Sequence, residues 1–141
     1  MAQTSGMRRY GETRRVLVVE DDFDSAEALC TLVQQAGHDC QVALSATEAR
    51  AITQEFLPEV ALIDIGLPRE SAYELVRHLK RQSSLVGCRF VAITGHRGAQ
   101  VPEQSSEAGF EAHLTKPVAR ELLLGVLDLC GATAERVRPA S

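Results

Sequence analysis

The sequence predicts an α/β fold, a three-layer doubly wound sandwich in which helices cover both faces of a five-stranded parallel sheet. Three observations predict it. Short β-rich apolar runs alternate with segments of helical period, the pattern of successive strand and helix units on a parallel sheet. The strand residues come as unbroken apolar blocks such as Val16-Leu17-Val18-Val19 and Val60-Ala61-Leu62-Ile63, as strands covered on both faces require. The chain has 141 residues at 45% hydrophobic content, which suits a single core.

Taken in chain order, strands are expected at Arg15 to Val19, Asp39 to Val42, Val60 to Ile63, Phe90 to Ile93 and Ala112 to Leu114. Between and after them, Ala26, Leu29, Cys30 and Val33, then Ala72, Leu75, Val76 and Leu79, then Leu122, Leu123, Val126 and Leu127 recur at helical spacing. Each stripe is expected to face the sheet. Helix starts are marked by Asp24-x-x-Glu27, Ser45-x-x-Glu48 and Ser71-x-x-Glu74, where a capping side chain and a glutamate three residues on satisfy free backbone donors. Gly37 and Gly109 stand where left-handed C-terminal caps are wanted. A fourth helix, about Val101 to Ala108, is the weakest, with Pro102 near its start and few apolar residues. Residues 1–13 and 131–141 lack apolar periodicity, so flexible tails are expected around one folded domain of residues 14–130. No internal repeat or low-complexity tract interrupts it.

Composition excludes several function classes. With 15 basic and 19 acidic residues interspersed for a net charge of −4, no basic stripe exists to neutralise a phosphate backbone, and direct nucleic-acid binding is not expected. The apolar runs are too short to span a bilayer or act as a signal sequence, so no membrane association and a cytoplasmic location are expected. Cys30, Cys40, Cys88 and Cys130 form no close-spaced pair in the sequence, which reads as free thiols in a reducing compartment.

In such a sheet a ligand site lies outside the carboxyl ends of the strands, at the switch point of strand order. The residues just past each strand are therefore informative: Glu20-Asp21-Asp22 after the first, Asp64 after the third, Thr94 after the fourth and Lys116-Pro117 after the fifth. Singly, Asp64 is a loop carboxylate, Thr94 a β-branched strand residue and Lys116 a surface lysine. Together they converge on one rim. Carboxylates so crowded repel at low effective dielectric and call for a divalent cation. An all-oxygen donor set selects a hard ion, Mg2+ or alternatively Mn2+. Asp22 is expected instead to flank the first helix and its positive dipole end.

The segments Val18-Val19-Glu20-Asp21-Asp22, Asp64-Ile65-Gly66-Leu67-Pro68, Ala92-Ile93-Thr94-Gly95 and Leu114-Thr115-Lys116-Pro117 resemble those of response-regulator receiver domains, over about residues 14–130. The resemblance implies the flavodoxin-like, CheY-like strand order 2-1-3-4-5 with five helices. It implies Asp64 as the phosphorylated nucleophile, Asp21 as a direct Mg2+ ligand, Glu20 as a ligand through water and the Gly66 backbone carbonyl as a further oxygen. Thr94 and Lys116 would hold phosphoryl oxygens, and the Lys116-Pro117 bond would be cis. Thr94 and His113 fall at the family's switch positions, with ordinary strand packing as the alternative for His113. The protein would catalyse its own phosphorylation from the phosphohistidine of a sensor histidine kinase or phosphotransfer protein, and its own slow dephosphorylation.

The signal would leave through the face of the fourth helix, fifth strand and fifth helix, roughly residues 96–129, to a downstream protein. A monomer or a phosphorylation-dependent dimer is implied. Two departures stand out: Arg69-Glu70-Ser71-Ala72 replaces the family's common Gly-Met-Asp-Gly, and Gly66 and His96 stand at the positions that in the family flank the path of attacking water. With no polar side chain at Gly66 to orient water, a long-lived acyl phosphate is expected. The alternative function is an interaction module of the same fold that works unphosphorylated. A haloacid-dehalogenase-like phosphatase would want a second aspartate where Gly66 stands, and Glu20-Asp21-Asp22 would repel the phosphate of a flavodoxin cofactor.

Overall fold

The computed structural model describes residues 13–95 and 108–128. Strands β1 (Arg15–Val19), β2 (Asp39–Ala43), β3 (Val60–Asp64), β4 (Arg89–Thr94) and β5 (Ala112–Thr115) alternate with helices α1 (Phe23–Gln35), α2 (Ala46–Phe56) and α3 (Ala72–Lys80). A 3-10 turn, Ser83–Leu85, precedes β4, and helix α4 (residues 120–128) follows β5. The expected helix near 101–108 lies outside the described residues except for Ala108, which is helical. His96, Cys130 and both expected tails fall outside them too, apart from Thr13. No described helix is long and apolar enough to cross a membrane.

All strand pairs are parallel, in the order β2-β1-β3-β4-β5. Successive residues of one strand enter opposite layers, because side chains alternate across a sheet. Leu17, Val19, Ala61, Ile63, Phe90 and Ala92 pack with Leu75, Val76 and Leu79 of α3. Val16, Val18, Val60, Leu62, Val91 and Ile93 pack with Ala26, Leu29 and Val33 of α1 and with Leu123 and Leu127 of α4. Side chains are buried on both faces, which is why these strands read as continuous apolar runs.

Every expected strand is present, and β3 and β4 extend to Asp64 and Thr94. The extension matters for the site: Asp64 is paired opposite Ile93, so it is anchored by the ladder instead of hanging in the loop beyond it. Ser45 and Ser71 cap their helices as expected. Ser45 Oγ accepts from Glu48 N at 3.1 Å while Glu48 Oε1 accepts from Leu44 N at 2.7 Å, and Ser71 Oγ accepts from Tyr73 N at 3.1 Å. Gly37 and Gly109 have φ of 97° and 121°. At Gly109 a Cβ would also stand 2.5 Å from Lys80 Cδ.

Two expectations are corrected. The first helix is capped by Asp22, whose Oδ2 accepts from Ser25 N at 2.9 Å, while Asp24 sits within the first turn. Glu20 Oε2 accepts the Asp22 N–H at 3.0 Å, and this turn starts the helix two residues early. In the last helix Leu122 is 61% exposed. The stripe facing the sheet is Leu123, Val126 and Leu127, with Leu122 rotated off it.

Candidate functional site

Parallel strands deliver their last residues to one rim. Glu20 follows β1, held by its backbone N–H to Ala43 O at 3.0 Å, and is 1% exposed. Asp64, also buried, ends β3; its Oδ1 accepts the Gly66 N–H at 2.9 Å. Thr94 ends β4, buried and paired opposite Thr115. Beyond β5, Lys116 donates its backbone N–H to Thr94 O at 2.8 Å, which aligns it with the strand ends. The Lys116-Pro117 bond is cis, as the sequence led us to expect.

The lysine side chain turns inward. Its Nζ lies 2.6 Å from Glu20 Oε1 and 3.3 Å from Asp64 Oδ2. Asp21 is exposed, yet one oxygen from each of Glu20, Asp21 and Asp64 can be chosen so that all lie within 4.8 Å of one another. Gly66 sits beside them. A Cβ there would stand 3.4 Å and 4.0 Å from the two Asp64 oxygens, so glycine leaves that side of the carboxylate open.

The charge in this cluster is not balanced. Burial pushes the Glu20 carboxyl above the usual carboxylate range and the Asp64 charge pushes it further, against the pull of Lys116 and the Asp22 N–H. Burial opposes the charge on Lys116, but its hydrogen bond to Glu20 and the nearby charges of Asp64 and Glu20 outweigh it and raise its pKa. Among the described residues, three carboxylates against one ammonium form an oxygen-only donor set with surplus negative charge, which fits a hard divalent cation such as Mg2+.

Of the residues singled out in the sequence, Glu20, Asp21, Asp64, Gly66 and Lys116 come together, and Thr94 joins the same rim. His113 lies opposite Ala92, further from the rim. Its neighbours Ala112 and Leu114 pack into the α1 and α4 layer, so His113 faces the other layer, as Ala92 and Thr94 do. Its buried Nε2 has no hydrogen-bond partner among the described residues. Sequence reasoning brought Glu20 and Lys116 to one rim but gave Lys116 only phosphoryl oxygens to hold; the structure pairs it directly with Glu20. Sequence reasoning also missed the pairing of Arg50 on α2 with Glu70, which ties the divergent segment after β3 to the adjacent helix.

A family model of the response regulator receiver domain matches residues 16–128. The chain belongs to the response regulator receiver family. The virulence transcriptional regulatory protein PhoP of Salmonella typhimurium is 35% identical over 103 residues, covering 73% of this chain and 45% of the relative. The phosphate regulon transcriptional regulatory protein PhoB of Pseudomonas aeruginosa is 30% identical over 111 residues, covering 78% of this chain and 48% of the relative. The chain thus spans less than half the length of these curated relatives. Among solved structures, a response regulator receiver domain protein (CheY-like) from Methanospirillum hungatei superposes with a TM-score of 0.80 at 25% identity, covering 89% of this chain and 98% of that one. The chemotaxis response regulator CheY4 of Vibrio cholerae gives 0.77 at 24%, covering 84% and 98%, and shows the shared fold. As a receiver domain the protein is a component of two-component signalling, and receiver domains in general bind Mg2+ and interact with histidine kinases and effector domains.

Proposed function

We propose that this receiver domain accepts a phosphoryl group on Asp64, in the presence of Mg2+, from the phosphohistidine of a sensor histidine kinase or phosphotransfer protein. The observation that supports this most is the buried Asp64 at a strand end, within reach of both Lys116 and two further carboxylates. Glu20, Asp21, Asp64 and the Gly66 carbonyl would hold the ion, Glu20 through water. Mg2+ would supply charge neutralisation on the phosphoryl oxygens.

The chain's own residues do the rest. An Asp64 oxygen attacks phosphorus in line with the histidine nitrogen; the P–N bond breaks as the O–P bond forms, leaving an acyl phosphate and a free imidazole. Such a transfer has a loose transition state that needs positioning and charge stabilisation more than covalent help. The β3 ladder and the Gly66 N–H fix the direction of the Asp64 carboxylate. Lys116, already at this carboxylate, exchanges its contact for a phosphoryl oxygen, and the Thr94 hydroxyl donates to another. The product adds about −1.5 to −2 charges and new acceptor oxygens at this rim. Thr94 is drawn toward them, and His113, on the same side of the sheet, answers to its movement. That shift biases the face of β5, α4 and the segment before β5, which a downstream protein reads. The folded unit that does this spans residues 14–130, acting in the cytoplasm.

The test is intact mass after incubation with Mg2+ and a small acyl-phosphate donor, for wild type and Asp64→Ala and with a chelator. A single phosphoryl adduct requiring both Mg2+ and Asp64 is the expected result. No adduct, with Mg2+ binding also absent, would favour an interaction module that works unphosphorylated. Persistence of the adduct for minutes or longer is expected from Gly66; loss within seconds would contradict that part.

A further inference from the structure

Two cysteines separate in the sequence meet in the fold. On α1, Cys30 lies one helical turn from Ala26 and from Val33, both fully buried against the sheet, so it belongs to the same face. On the edge strand, Cys40 is paired opposite Val16 and packs into the layer that contains Ala26, Leu29 and Val33. The pleat therefore points Cys40 at α1, toward the face that carries Cys30, and Cys30 bears on the Cys40 thiol. No disulfide joins them, and each is only partly covered, so a small oxidant can reach the pair from the edge of the sheet. Neither takes part in the chemistry of the rim. We propose that Cys30 and Cys40 form a redox-active dithiol, closed to an intramolecular disulfide by hydroperoxides and reopened by dithiol reductants.

The chemistry assigns different parts to the two sulfurs. Burial, then the neighbouring Cys30, pushes the Cys40 thiol up, and the first attack is assigned to Cys30. The Cys30 thiolate takes the outer oxygen of hydrogen peroxide; the O–O bond breaks and hydroxide leaves as water, using one proton. Cys30 is then a sulfenic acid, oxidised by two electrons. Cys40 sulfur attacks that sulfur, the S–S bond forms, the S–O bond breaks, and hydroxide leaves with the Cys40 proton as a second water. In sum two thiols and one peroxide give one disulfide and two waters. The bond staples α1 to β2 and closes a short loop around Gly37, a constraint on the unfolded chain that should raise the melting temperature.

The sequence makes the pair easy to read out. No lysine or arginine lies between Arg15 and Arg50, so trypsin leaves both cysteines on one peptide, residues 16–50, apart from Cys88 and Cys130. The reduced full chain is treated with a small excess of hydrogen peroxide, then denatured in an alkylating reagent and digested. The expected product is peptide 16–50 lighter by two hydrogens, unalkylated, and returned to the dialkylated form by dithiol pretreatment. Cys40→Ser should instead leave Cys30 as a sulfenic acid that dimedone traps. Unfolding the chain in urea before peroxide should abolish the preference for this pair over Cys88 and Cys130. Peptide 16–50 fully alkylated at a dose that oxidises Cys88 or Cys130 would overturn the proposal, as would oxidation of Cys30 or Cys40 without the cross-link in the wild type. The wild-type readout does not depend on any variant folding.

Discussion

The two rims of the sheet handle their charges in opposite ways. At the amino-terminal rim acids and bases are paired with each other or with the backbone. Arg89 Nη1 donates to both Glu111 oxygens at 3.1 and 3.0 Å, Arg15 Nε donates to Leu57 O at 2.9 Å, and Glu59 Oε1 accepts the Arg15 backbone N–H at 2.8 Å. The buried His38 offers Nδ1 to Arg14 N at 3.0 Å. At the carboxyl-terminal rim Glu20 and Asp64 are buried, Asp21 stands beside them, and among the described residues Lys116 is the one ammonium, paired with Glu20 and Asp64. One rim is arranged for the folded state alone. The other carries surplus negative charge that costs stability until a cation arrives, the usual sign of a functional site.

Variants can break or sharpen that contrast. The largest effect is expected from Lys116→Ala, which should slow Asp64 adduct formation from a small acyl phosphate by about 100- to 1000-fold, the scale on which a placed charge stabilises a transition state. Arg89→Ala at the opposite rim should leave that rate unchanged, and a large loss there would erase the contrast between the rims.

Next in size is Glu20→Gln. The folded-state pKa of Glu20 is raised, so folding favours the protonated carboxyl, and its contribution is lost as pH climbs from the unfolded carboxylate value through the folded one. Gln removes this penalty. In chelator at neutral pH the variant should therefore melt above the wild type, and its melting temperature should change less as the pH rises through that window. In Mg2+ the order should reverse, because the wild type gains by binding the ion. Thermal melts with and without Mg2+ check both halves. Arg89→Ala should cost no more than about 1 kcal/mol in urea unfolding, as for other surface ion pairs.

The smallest effect is expected at Asp22. Its hydrogen bonds with Ser25 hold its carboxyl below the usual range. The stability it gives is present above the unfolded carboxylate pKa and lost as pH falls through the folded one. Asp22→Ala should melt lower at neutral pH by a margin that shrinks in acid, whereas Asp22→Asn should keep most of the cap.

The strands were legible in the sequence because burial on both faces leaves an unbroken apolar run, and the rim was legible because parallel strands end together. Knowing where β1, β3, β4 and β5 stop is enough to bring Glu20, Asp64, Thr94 and Lys116 to one end. The features that were not legible depend on contacts made only after folding. The cap fell to Asp22 instead of Asp24 because Glu20 bonds back to the Asp22 N–H. Leu122 shares helical spacing with Leu123 and Val126 yet points to solvent, since periodicity gives a stripe but not its edge. Cys30 and Cys40 looked unrelated because ten positions of chain hide the fact that a helix and its next strand pack face to face.

The acceptor itself can be identified chemically. Borohydride reduces an aspartyl phosphate to homoserine, and trypsin places Asp64 on the peptide of residues 51–69 as its only aspartate, while Asp21, Asp22, Asp24 and Asp39 all fall on residues 16–50. After phosphorylation in Mg2+, reduction and digestion, homoserine should appear at position 64 and nowhere else. Homoserine in peptide 16–50, or a phosphoryl adduct that borohydride leaves untouched, would contradict the assignment of Asp64.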